Sequence, residues 1–136
     1  MENLNRFRFR LWDKNEKKMK FGHNYLIDFM GDIYWQYGDG ELELLDKDEV
    51  ILMQFTGIPD KNKKEIYEGD IITVDYDGDK STHKVEWGEN NYPAWALNPT
   101  LGIEVNDFSE IICFGSYEME IIGNVWETPE LLKEKT

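Results

Sequence analysis

The sequence has one cysteine, few prolines and no long apolar run, and each shortage excludes a class of protein. Cys113 stands alone among 136 residues, so no internal disulfide can form and a reducing, intracellular compartment is expected. No stretch approaches the roughly 18 consecutive apolar residues of a membrane-spanning helix. The opening MENLNRFRFR carries charges where a secretory signal needs an apolar segment. These features predict a cytoplasmic protein with no membrane partner.

Cations are scarce outside one segment. Residues 1–20 carry seven basic groups against three acids, and no Lys or Arg occurs in the 48 residues from Val85 to Leu132. The net charge of −13 repels phosphate backbones, which disfavours nucleic acid as a partner and suits a basic protein. Acidity that only keeps a small protein soluble is the simpler explanation. Catalytic signatures are missing too: the sequence has no G-x-S-x-G, no Gly-rich phosphate loop and no G-x-G-x-x-G.

What is present points to a β-rich domain. Seven Phe, seven Tyr and five Trp supply core and strand-forming residues, and a chain of this size buries roughly two thirds of its unfolded surface. NRFRFRLW alternates, which predicts Phe7, Phe9 and Leu11 on one face and Arg6, Arg8 and Arg10 on the other. The arginines are expected against the acidic remainder, or guarding an edge strand. MKF, DIYWQY, ELELL, VILMQFT, DIITVDY, HKVEW, YPAWAL and MEIIGNVW read as further strands. Gly-Asp-Gly at 38–40 and Asp77-Gly78 read as hairpin turns. Thr128-Pro129-Glu130 predicts a short helix capped by Thr128, with Leu131 and Leu132 docking it. Asp-Lys-Asn-x-Lys occurs twice, at 13–17 and 60–64. Convergence on good turn residues explains this more simply than duplication.

Candidate sites are few. Asp75, Asp77, Asp79 and Glu86 match the first, third, fifth and twelfth positions of a calcium loop, but Lys80 replaces its glycine and the flanks read as strands. His23, His83 and Cys113 lack zinc spacing. No metal, cofactor or catalytic residue is expected. Glu68 and Asp70 could form an acid–base pair, although Asp70 is better explained as a cap on backbone amides where the strand starts.

Three stretches carry a family resemblance. MQFTGIPDKNKKEIYEGDI (53–71) is similar to the phrase M-Q-x-T-G-L-x-D-x-x-G-K-x-I-Y-E-G-D-I of the phage and prophage YopX family. RFRLWDKNEKKM (8–19) resembles the family's opening strand and W-D-K turn. IIGNVWETPELL (121–132) resembles its closing I-G-N-I-Y-E-N-P-E-L-L. The matching positions include Trp12, Asp13, Thr56, Gly57, Asp60, Ile66, Tyr67, Glu68, Gly69, Asp70, Gly123, Asn124 and Pro129, all read as structural. The family often has Gly where Lys63 stands, which makes Asn62 the residue expected to take positive φ.

The resemblance implies a mainly β protein with N-terminal hairpins over 1–49, an SH3-like barrel over 50–126, and a short helix and tail over 127–136. It also implies a phage or prophage gene and a bacterial host cytoplasm, with no established activity. A non-enzymatic binding module is the leading expectation. The rivals are an acidic DNA mimic presenting Glu104, Asp107 and Glu110, a nucleic-acid module using the Arg face and Trp12, and an enzyme of unknown class. Self-association stays open.

Overall fold

The computed structural model describes residues 7–88, 94–99 and 117–133; these form eleven strands and one 3₁₀ turn. The protein is therefore mainly β. No helix among the described residues is long and apolar enough to cross a membrane. The chain divides into two compact units, one of Phe9–Met53 and one that contains Arg8 and the chain from Gln54 onward.

The Phe9–Met53 unit contains β1 (Phe9–Asp13), β2 (Lys18–Lys20), β3 (Tyr25–Ile27), β4 (Ile33–Gln36), β5 (Leu42–Leu44) and the start of β6 (Val50–Pro59). β1 pairs with β2 in the register Leu11↔Lys20, Trp12↔Met19 and Asp13↔Lys18. β3, β4 and β5 form a separate antiparallel sheet in that order. Across it Tyr25, Trp35 and Tyr37 pack edge to face, with ring centroids 4.9 and 6.5 Å apart.

The second unit holds the end of β6, then β7 (Glu65–Tyr67), β8 (Asp70–Tyr76), β9 (Asp79–Trp87), β10 (Trp95–Asn98) and β11 (Tyr117–Asn124). Its main sheet has the order β10-β9-β8-β11. Ile66, Ile72, Val74, Val85, Leu97 and Met119 form its core. Each such side chain contributes about 1.5–3 kcal/mol when fully buried. Ile71 is as buried as Ile72, so the first part of β8 is covered on both faces. β11 carries one extra residue between Ile121 and Gly123 relative to β8, a bulge that bends the strand.

The N-terminal alternation does not hold. Phe7 and Phe9 are 55% and 36% exposed, whereas Arg10, Leu11 and Trp12 are all buried. Three consecutive buried residues mean that β1 is covered on both sides, and alternation cannot report that environment. Arg8 does meet an acid, forming an ion pair with Glu65. Arg6 lies outside the described residues.

The hairpin turns explain another difference. Loops 28–32, 37–41 and 60–64 share one form, closed at 28–32 by Asp28 N–H on the Asp32 carbonyl (3.0 Å) and at 60–64 by Asp60 N–H on the Lys64 carbonyl (2.7 Å). The fourth loop residue takes positive φ: Gly31 (84°), Gly40 (90°) and Lys63 (67°). Asn62 was the residue expected there, but loop length puts Lys63 at the left-handed position. The similar 13–18 loop is one residue longer, pairing Asp13 with Lys18 and placing positive φ at Lys17 (54°). The repeated sequence therefore forms two different hairpins.

Lys63→Gly is expected to stabilise the protein. Relief of left-handed strain is worth about 1–2 kcal/mol, and the added freedom of the unfolded chain offsets about 0.4–1 kcal/mol of it. A rise in the urea midpoint is predicted; an unchanged or lower midpoint would contradict this assignment.

The C-terminal helix is a 3₁₀ turn, Pro129–Leu132, with Pro129 at its start. Thr128 makes no side-chain cap bond. Its hydroxyl turns back instead, accepting from Asn124 N–H (3.1 Å) and donating to the Asn124 carbonyl (3.2 Å). Leu131 reaches Gly123, where its Cδ1 would lie 2.9 Å from an added Cβ.

Candidate functional site

Among the motif residues of the second unit, Asp60 joins its turn to the strand it meets. Asp60 is 5% exposed, and its Oδ1 accepts from Asn62 and Lys64 N–H, both at 2.9 Å. Its Oδ2 accepts from Ile121 N–H in β11 at 3.0 Å. Lys61 N–H donates to the Met119 carbonyl at 2.9 Å. The loop is thereby fastened to β11 by its first two residues. Burial disfavours the Asp60 carboxylate, but the donors from Ile121, Lys64 and Asn62 outweigh it, and its pKa falls below the ordinary aspartate value.

The other motif residues also act on backbone. Thr56 donates its hydroxyl to the Ile66 carbonyl (2.8 Å) and accepts from Ile58 N–H (3.2 Å), linking β6 to β7. Asp70, 2% exposed, accepts from Tyr67 N–H at 2.8 Å. Gly69, at φ 87°, donates to the Val85 carbonyl and accepts from Val125 N–H. Glu68 N–H donates to the Gln54 carbonyl. Asn124 Oδ1 accepts from Trp126 and Glu127 N–H, while its Nδ2 donates to the Glu127 carboxylate. Ile66 and Tyr67 are buried, with the Tyr67 ring 5.6 Å from Phe55.

In the first unit, Asp13 Oδ1 accepts from Asn15 and Glu16 N–H, both at 2.9 Å. The Glu16 bond is the main reason its pKa is lowered. Trp12 is buried, so its ring is not offered to a base at the surface.

The calcium reading fails on geometry. Asp77 and Gly78 form the tip of the β8–β9 hairpin, where Tyr76 pairs with Asp79, and Asp75 accepts from Gly78 N–H. Glu86 lies seven residues up β9, roughly 23 Å from the turn at about 3.3 Å per residue. Among the described residues, no group of three His, Cys, Asp or Glu is arranged to hold a metal. Glu104, Asp107, Glu110 and Cys113 lie outside the described residues.

His83 is 2% exposed. Its Nδ1 lies 2.6 Å from the Pro99 carbonyl and its Nε2 2.6 Å from the Ser81 hydroxyl. A carbonyl only accepts, so Nδ1 carries the proton and Nε2 accepts from Ser81. Burial lowers the His83 pKa, with the Pro99 bond opposing it in part. Below the ordinary value of 6.5 the unfolded chain therefore takes up a proton that the folded chain resists. Stability should fall as pH drops from 6.5 towards the folded pKa. His83→Gln should flatten this slope, read from urea midpoints above about pH 5, where most carboxylates stay ionised. An unchanged slope in the variant would contradict it.

A cavity of about 310 Å³ opens in the Phe9–Met53 unit. Leu11, Tyr25, Ile27, Ile33 and Leu52 supply apolar wall, and Arg10 and Lys20 are its charged lining residues. An adjacent cavity of about 140 Å³ shares Leu11, Lys20 and Tyr25 but is lined also by Asp13, Glu43, Asp46 and Glu49. The signal for the larger cavity is Arg10 among apolar residues, although alternation puts it on the face opposite Phe9 and Leu11.

The YopX protein family model matches residues 8–133. The chain belongs to the YopX family. Two solved structures are similar in fold. One is protein EF1440 from Enterococcus faecalis, 27% identical with a TM-score of 0.58, covering 93% of this chain and 97% of that one. The other is protein yopX from Bacillus subtilis, 19% identical with a TM-score of 0.67, covering 94% and 99%. No curated protein matches the chain. The function of the YopX family is unknown.

Proposed function

We propose that this YopX-family protein is a phage- or prophage-encoded accessory protein that acts in a bacterial cytoplasm by binding a protein partner rather than by turnover. One observation carries this reading: Thr56, Asp60, Asp70 and Asn124 each use a side-chain polar group to hold backbone. Groups held this way maintain a scaffold. The second unit fits an SH3-like barrel, in which β8–β11 curl with the β6–β7 hairpin, corresponding to most of residues 50–126. The acidic surface suits a basic partner.

The test is affinity purification from host lysate with and without nuclease, followed by reconstitution from purified components. A protein retained after nuclease treatment and rebound directly supports the reading. Robust turnover of a defined substrate, abolished by one substitution, would overturn it.

A further inference from the structure

The geometry points to the larger cavity of the Phe9–Met53 unit as a site for a small amphipathic carboxylate, its chain among Ile27, Ile33 and Leu52 and its head towards Arg10 and Lys20. This goes beyond the proposed protein partner and does not depend on it. The argument is one of charge. The chain carries 28 acids and 15 Lys and Arg, yet among the described residues lining this cavity the ionic ones are Arg10 and Lys20. Four carboxylates line the neighbouring cavity instead. The cavity walls are otherwise mostly aliphatic or aromatic, the common composition of small-molecule sites, and its volume lies at the low end of their usual range. Roughly ten waters' worth of space, at about 30 Å³ each, fits a chain of octanoate size.

Lys20 already meets Glu16 at 2.9 Å. An ammonium has three donors, so a second carboxylate can join without displacing the first. Arg10 is 7% exposed and already has a partner; its guanidinium has five N–H donors, so a ligand carboxylate can share it, and a charge–charge contact at that depth is less weakened by solvent than one at the surface. A cationic or neutral ligand of the same shape would gain the apolar contacts but lose this pairing.

The test is calorimetric titration of the full chain with octanoate, octanol and octylammonium at equal ionic strength. The net charge of −13 favours octylammonium over octanoate for non-specific binding, so the order of affinities is diagnostic. Octanoate is expected to bind at one saturable site at least about tenfold more tightly than octylammonium, and Lys20→Met to weaken octanoate by about tenfold while leaving octanol within about twofold. Ile27→Trp, which fills the cavity from an edge strand, should abolish octanoate binding without unfolding the protein. Equal or tighter binding of octylammonium would overturn the proposal. So would unsaturable octanoate binding, or a Lys20→Met variant that treats octanoate as the native chain does.

Discussion

Asp60→Ala is expected to destabilise the protein by about 3 kcal/mol, the sum of three unequal losses. Asn62 and Lys64 N–H lie in a turn and can turn to water, so each loss is about 0.5–1 kcal/mol. Ile121 N–H belongs to β11 and faces the buried Oδ2; leaving a buried donor unpaired costs about 1–3 kcal/mol. The urea midpoint should fall while the slope stays constant, since the surface exposed on unfolding is little changed. Melting should drop by roughly 10 °C.

The pH dependence follows from the same bonds. A carboxylate with a lowered folded pKa stabilises above its unfolded value of 3.8, and that contribution is lost as pH falls through the folded pKa. The alanine variant should therefore lose less stability than the native chain across that acidic range. A variant within about 0.5 kcal/mol of native stability, the usual scatter of surface substitutions, would mean that Asp60 does not fasten the turn.

The second large effect is expected at Gly123. A Cβ there would lie 2.0 Å from Thr128 Oγ1, 2.9 Å from Leu131 Cδ1 and 3.2 Å from Thr128 Cβ. Leu131 is 37% exposed and can rotate away. Thr128 cannot move freely, because its hydroxyl holds both the N–H and the carbonyl of Asn124. Gly123→Ala should cost about 2–4 kcal/mol, combining overpacking with broken hydrogen bonds. Thr128→Ala alone should cost about 1 kcal/mol. The double variant should then be at least about 1 kcal/mol more stable than the sum of the single effects predicts. Strict additivity would show that the two residues do not compete for space. Backbone conformation is not the constraint at this glycine; the approach of the threonine is.

Local patterns were the most legible part of the sequence. DIITVDY does form strand β8, with Ile72 and Val74 in the core although Tyr76, expected on the same face, is exposed, and Asp77-Gly78 lies at the tip of a two-residue hairpin with positive φ at both positions. The mainly β class followed from such runs. Among the described residues, two of the four three-residue strands, Tyr25–Ile27 and Glu65–Tyr67, are not legible, because three residues are too few to show a period. The choice between Asn62 and Lys63 failed because loop length, set by the pairing of Pro59 with Glu65, overrides the intrinsic preference of asparagine.

Long-range partners were illegible for a different reason. Asp60 and Ile121 are 61 residues apart, and nothing near either announces the other. The same holds for the cavity, whose lining comes from β1, β2, β3, β4 and β6. Arg10 shows this most clearly. Alternation put it on the face opposite Leu11, and the assembled unit buries both.

The central claim is that the family motif works on backbone amides, and NMR titration of the Asp60 side-chain carboxyl tests it most directly. The predicted result is a pKa below the ordinary aspartate value of 3.8, with the Ile121 amide shift following the same titration. An ordinary pKa with an Ile121 amide that does not respond would contradict the claim.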